Sequence, residues 1–187
     1  MELEHRTTEQ WNEALWAEAE PIYREGFPEH GRKPKAIVRR MFERGICELH
    51  VWGEPGAALA MALTAFDARA GVLVIDYLAV RESRRGEGVG RACVASVRHW
   101  ALGVKPDCKG LVIEAEAEET ADNAKRIRFW EKAGFTLTEY VHAYIWVPET
   151  YRAMVMSFDA GHPLTDDGRE LFKAITRYHE RAYRGRE

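Results

Sequence analysis

The chain has 187 residues, a formal net charge of −3 and a hydrophobic fraction of 46%, enough for one well-buried domain of ordinary size. Acids and bases are interspersed, so bulk charge does not point to nucleic acid, and no apolar run reaches membrane-spanning length. The opening residues, Met1-Glu2-Leu3-Glu4-His5-Arg6, lack the apolar stretch of a secretion signal. Cys47, Cys93 and Cys108 show no metal-ligand spacing. Cys47 and Cys93 read as buried small hydrophobes, and a sparse, odd set fits a reducing compartment. The expectation is a soluble, cytoplasmic protein with neither a metal nor a membrane or nucleic-acid partner.

In chain order, residues near Leu3 to Arg6 read as a short strand. Thr7-Thr8-Glu9-Gln10 reads as a capped helix start, with Trp11, Leu15, Ala19 and Ile22 at helical spacing and Pro21 in the last turn. After a loop over Gly26 to Gly31, a second helix is expected from about Pro34. Ile37, Val38, Met41 and Phe42 lie on its inner side, and Lys33, Lys35, Arg39 and Arg40 cover its solvated face. Gly45 ends it. Ile46 to Trp52 alternates as a strand, Gly53 to Gly56 is a turn, and Ala57 to Phe66 and Val72 to Val80 read as two more strands. The three form an antiparallel meander.

A helix to about Gly103 follows, then a strand over Lys109 to Ala117 that can lie parallel to its predecessor because a helix intervenes. Asp122 to Ala133 is a helix closed by Gly134. Phe135 to Tyr144 and Tyr151 to Phe158 are strands. Leu164 to Tyr183 is a final helix, with Thr165 as a cap, Leu171, Ile175 and Tyr178 on one face and a charged outer face. The expected organisation is a mixed α/β sheet domain over residues 1–160, with a helical extension over 161–187 packed on it. That helix could cap the sheet, close a site, or form a homodimer.

The stretch with most chemistry is Arg84-Arg85-Gly86-Glu87-Gly88-Val89-Gly90-Arg91, between the strand ending Leu78-Ala79-Val80 and a helix. Glycine lets the backbone turn tightly and approach a ligand, and the unpaired N–H groups of the helix start form an anion site. Arg84, Arg85 and Arg91 add forked positive charge suited to phosphate. The spacing is neither the dinucleotide fingerprint nor a P-loop.

The pattern Arg85-x-x-Gly88-x-Gly90 directly after a strand resembles the acetyl-CoA pyrophosphate loop of the GNAT family of N-acetyltransferases. A second stretch, Asn123 followed by Trp130-Glu131-Lys132-Ala133-Gly134-Phe135, resembles that family's other signature. The element order over roughly residues 3 to 158 resembles its fold. One departure stands out. The family usually carries Tyr where this chain has Trp130, and that Tyr is often the acid that protonates the departing thiolate. An indole N–H donates a hydrogen bond but does not ionise near neutral pH. Tyr77, Tyr140 and Tyr144 are the alternative phenols.

The resemblance implies acetyl transfer from acetyl-CoA, as cosubstrate, to an amine of a small molecule or peptide. Arg85, Gly86, Glu87, Gly88, Val89, Gly90 and Arg91 would hold the pyrophosphate. Leu78, Ala79 and Val80 would pair with the pantetheine arm and donate to the thioester oxygen. Asn123 would contact that arm or hold its helix start, and Trp130 would sit beside the cofactor. Glu114 and Glu116 share one face of their strand and Asp76 lies on its neighbour, so these carboxylates, with Tyr140, are the candidate catalytic groups. The acids Glu114, Glu116, Glu118, Glu119 and Asp122 would favour a cationic acceptor, and His142 could line its pocket. Two other readings stay open: a non-catalytic acyl-CoA-binding module, and an interaction protein that keeps only the fold.

Overall fold

Seven strands pair into one mixed sheet in the computed structural model, which describes residues 3–184. The ends of the expected units, Met1, Glu2 and residues 185–187, lie outside the described residues. The strands are β1 (His5–Thr8), β2 (Glu48–Trp52), β3 (Ala60–Asp67), β4 (Val72–Val80), β5 (Gly110–Glu116), β6 (Thr136–Ala143) and β7 (Thr150–Ser157). Their spatial order is β1-β2-β3-β4-β5-β7-β6. Every neighbouring pair is antiparallel except β4–β5, which is parallel across the helical crossover. The helices are α1 (Glu13–Gly26), α2 (Lys35–Glu43), α3 (Val89–Val104), α4 (Ala121–Lys132) and α5 (Gly168–Tyr183).

The strands alternate their side chains between two cores. Val72, Val74, Tyr77 and Ala79 of β4 join a cluster built with α1, α2 and α5. Leu73 and Ile75 join the opposite cluster, under α3 and α4. Parity changes at Asp76. The β3–β4 register passes from Thr64↔Ile75 to Leu63↔Tyr77, so Asp76 has no partner. This bulge brings Asp76 and Tyr77 to the same face in succession. The bulge is not visible in the sequence, and it decides where the Asp76 carboxylate points.

Several local expectations give way. β1 runs through Thr8, and the cap of α1 is Asn12, whose side chain accepts the Leu15 N–H at 2.9 Å. Thr7 to Gln10 therefore does not start the helix. β2 does not alternate: all five of its residues are buried, because it lies between two strands with helices over both faces. β3 begins at Ala60 rather than Ala57. The cap of α5 is Asp167, which accepts from Arg169 N–H at 2.9 Å, so Thr165 does not fill that role.

The last helix is an integral layer. It packs on β6, β7 and β4 and beside α2, burying Leu171, Phe172, Ile175 and Tyr178. Arg177 forks onto Asp67 at the end of β3, with nitrogen–oxygen distances of 2.8 and 3.0 Å. All three cysteines are buried.

Candidate active site

Two glycines shape the turn between β4 and α3. Gly86 and Gly88 have φ of 81° and 83°, and the space beside each is open. A side chain there would be strained by the left-handed backbone and would fill the approach to it. The first intrahelical donor of α3 is Ala92, which bonds the Gly88 carbonyl at 3.1 Å. The N–H groups of Val89, Gly90 and Arg91 therefore face outward from a helix N-terminus. Gly90 serves a different need: a Cβ there would lie 2.9 Å from Cε2 of Phe129, so its absence lets α3 meet α4. Arg85 donates to the Val80 carbonyl at 3.1 Å, and Arg84 pairs with Glu87 at 2.7 Å, stiffening the turn. A groove of about 620 Å³ starts at Gly88 and runs along α3, past Arg91, Arg98, His99 and Lys132.

β4 and β5 pair only over Val72↔Gly110, Leu73↔Leu111 and Val74↔Val112. Beyond that point β4 keeps β3 and β5 keeps β7, and the two central strands part. The residues from Ile75 to Val80 thus leave alternate backbone groups facing a wedge-shaped gap, which opens toward the glycine turn.

The side chains at this gap form a continuous polar chain. Lys33 Nζ lies 2.7 Å from Asp76 Oδ2. Tyr178 donates its hydroxyl to the same Asp76 oxygen. Lys33 also sits over the rings of Tyr77, Tyr178 and Tyr183, 5.1 to 5.5 Å from their centroids. On its other side Lys33 Nζ reaches His179 Nδ1 at 3.4 Å. His179 Nε2 reaches Glu114 Oε1 at 2.6 Å, and Tyr144 donates to Glu114 Oε2 at 2.7 Å. Burial, and then the neighbouring carboxylates, push the hydroxyls of Tyr178 and Tyr144 upward, so both stay protonated donors.

Glu114 and Asp76 are thus brought together, joined by a lysine and a histidine absent from the candidates read in the sequence. Glu116 shares the Glu114 face, opposite Tyr151, and its carboxylate has no hydrogen-bond or ion-pair partner among the described residues. Tyr140 lies one row away, with its hydroxyl 3.2 Å from His142 Nδ1 and Arg169 stacked over its ring. The phenol at Glu114 is Tyr144. His142 stacks on Phe172, with centroids 4.3 Å apart.

Asn123 is fully engaged at its helix start. Its side chain donates to the Glu118 carbonyl at 3.0 Å and accepts from Arg126 at 2.8 Å. Trp130 packs edge-on between Phe129 and Phe135, with centroids 5.0 Å away in each case.

Sequence reading missed Lys33, Tyr178 and His179. Lys33, expected on a solvated helix face, is buried in the loop before α2. The available signals were its place ahead of Pro34, off the helical period, and the position of His179 four residues after Ile175, at the margin of the α5 stripe. A larger groove of about 1040 Å³ lies at the far end of β4 and β5, lined by Val72, Lys109, Lys173 and Arg177, and takes no part in this cluster.

The model of the Acetyltransferase (GNAT) family matches residues 9–135. No curated protein matches the sequence. Among solved structures, the chain resembles a protein from Bacteroides thetaiotaomicron assigned to the GNAT acetyltransferases (TM-score 0.70, 17% identity, covering 97% of this chain and 99% of that one). It also resembles one so assigned from Desulfovibrio desulfuricans (TM-score 0.66, 20% identity, covering 83% and 99%). A Bacillus subtilis acetyltransferase solved in complex with CoA gives a TM-score of 0.59 at 15% identity, over 84% of this chain and all of that one. These likenesses show a shared fold. With the family model matched over more than half of its length, the chain belongs to the GNAT family of acetyltransferases.

Proposed function

We propose that the protein is an acetyl-CoA-dependent N-acetyltransferase, in which the amine attacks the thioester directly in a ternary complex. One observation carries this reading. The gap between β4 and β5 connects the anion-binding turn, at one end, to a hydrogen-bonded Glu114, at the other. The residues present fit the cosubstrate. Free N–H groups and open glycines at 86 and 88 suit a pyrophosphate, and the arginines, histidine and lysine along the α3 groove suit the anionic nucleotide end. The unpaired edge of β4 at Leu78 to Val80 suits an amide-bearing arm laid alongside as an extra strand.

In this reading Glu114 takes the proton of the amine, directly or through one water, as the C–N bond forms and the C–S bond breaks. Backbone N–H groups of the parted strand face the thioester oxygen as charge develops there. The leaving thiolate takes its proton from water, since Trp130 offers none. Asp76 holds Lys33 and Tyr178 rather than acting on the amine. The acceptor is a small-molecule or peptide amine, and the acids at Glu114, Glu116, Glu118 and Glu119 suit a cation.

Calorimetric titration with acetyl-CoA and CoA, beside Gly88→Trp, tests the cosubstrate. Micromolar binding that the variant loses is expected. Thiol release with a panel of primary amines then tests catalysis. A second reading, a non-catalytic acyl-CoA-binding module, draws on Trp130. It predicts the same binding with no thiol release for any amine and no gain in Trp130→Tyr.

A further inference from the structure

The match to the family model ends at residue 135, yet Tyr144, Tyr178 and His179 of the polar chain lie beyond it. Two of the three come from α5. The geometry around His179 fixes what its ring can do. Lys33 Nζ is an ammonium held against Asp76, and an ammonium only donates. The His179 nitrogen facing it at 3.4 Å, Nδ1, is therefore the acceptor side of the ring. The proton of the neutral ring sits on Nε2, and Nε2 is the atom 2.6 Å from Glu114 Oε1. Asp76 fixes Lys33, Lys33 fixes the tautomer, and the tautomer presents a donor to Glu114.

We propose that His179 is a positioning residue of the acetyl-transfer site, set by Lys33 to hold the Glu114 carboxylate in one rotamer; this rests on the acyl-transfer reading above. Each Glu114 oxygen has one donor, His179 on Oε1 and Tyr144 on Oε2. That leaves the second lone pair of each oxygen for an amine or a water, and it locks the plane of the carboxylate.

The groups facing this pair come from every surrounding element. Lys33 precedes α2, Asp76 is on β4, and Glu116 is on β5. His142 is on β6, Tyr144 follows it, Tyr151 is on β7 and Tyr178 is on α5. Of these, Lys33 and Tyr144 make the direct contacts to His179 and Glu114.

The test compares His179→Ala and His179→Gln in the full chain, using acetyl-CoA and the best amine of the panel. In His179→Ala, kcat should fall roughly 10- to 100-fold, the scale on which a reacting group is lost to misplacement. KM for acetyl-CoA should be unchanged. His179→Gln places an amide N–H near the Nε2 position and restores a donor to Glu114, so it should recover most of the rate. A folded His179→Ala with the wild-type kcat would overturn the proposal, as would His179→Gln no better than alanine. A long-range ¹H–¹⁵N spectrum of the imidazole supplies a readout that does not depend on turnover. The Nε2–H tautomer is expected, and it should be lost in Lys33→Met; an Nδ1–H ring would also overturn the assignment. Failure of the acyl-transfer reading looks different, as absence of acetyl-CoA binding and thiol release in the wild type, and it would take the proposal with it.

Discussion

Lys33 and Asp76 form an ion pair at 2.7 Å whose side chains are 3% and 6% exposed, far from the water that ordinarily solvates such charges. Removing one partner of a buried pair strands the other, at a cost of about 3–5 kcal/mol, whereas an apolar pair of similar volume is often neutral. Lys33→Met should therefore lower the urea-unfolding free energy by that amount. Lys33→Met with Asp76→Leu should recover most of the loss. Equal losses in the single and double variants would mean that the pair is not coupled in the folded state.

The contact between Gly90 and Phe129 gives a second expectation. A methyl group at 90 would meet the Phe129 ring at 2.9 and 3.1 Å. Overpacking of this kind costs about 1–3 kcal/mol. Gly90→Ala should be destabilised on that scale, and adding Phe129→Leu should return part of it. Unfolding free energies for a double-mutant cycle should show favourable coupling. Strict additivity would place the two residues out of contact.

Away from the site, His5, His50, Thr64 and Glu48 form a hydrogen-bonded chain across β1, β2 and β3, closed by Lys105 at 3.1 Å from Glu48. Burial holds His50 down to about 3 and His5 to about 4, against 6.5 in an unfolded chain. Both rings are therefore neutral in the folded state, and the unfolded state binds protons that the folded state refuses. Stability should be full above pH 6.5 and fall as pH drops from 6.5 towards 4, with a slope approaching about 1.4 kcal/mol per pH unit for each ring. Glu48, pushed up chiefly by burial, works in the opposite sense in its own window above the usual carboxylate range. Denaturant titrations between pH 8 and 5 should show the fall, and His5→Phe should flatten it. A flat wild-type profile would show that the rings are not buried neutral.

Arg177 and Asp67 tie the middle of α5 to the end of β3 by two hydrogen bonds. The Arg177 guanidinium, working against burial, holds the Asp67 carboxyl below its ordinary value. Lysine cannot reproduce the fork. Arg177→Lys should lower stability by about 1–2 kcal/mol and speed amide exchange across 168–183, with smaller effects in α3. It should also lower turnover, although Arg177 lies outside the polar chain. Unchanged exchange in α5 would mean that its apolar stripe alone anchors it.

The sequence carried the frame of the molecule because the frame is local. Val72 to Val80 is a β-branched run, the glycines of the turn are consecutive signals, and Gly134 closes α4. Element order and the parallel crossover followed from these. The site was legible only in its strand-borne half. Glu114 declared itself by alternation, but Asp76 owes its direction to a bulge, and a bulge leaves no periodic trace. Lys33 meets Asp76 across 43 residues and Glu114 meets His179 across 65. The place of Lys33 ahead of Pro34 takes it off the helix, but does not say that its charge is buried. The role of α5 was hidden for the same reason: a stripe of Leu171, Ile175 and Tyr178 says that the helix docks, and not on what.

That α5 supplies Tyr178 and His179 has a consequence for how the protein is made and lost. The strands, the glycine turn and the first four helices leave the ribosome well before residue 179, and they can pair while Lys33 and Asp76 still lack the Tyr178 hydroxyl and the His179 ring. The polar chain closes only when the turn that carries Tyr178 and His179 docks. A protease that trims that turn would then open the chain of contacts while leaving the turn at Gly86 to Gly90 in place, separating cosubstrate capture from turnover in a single cut.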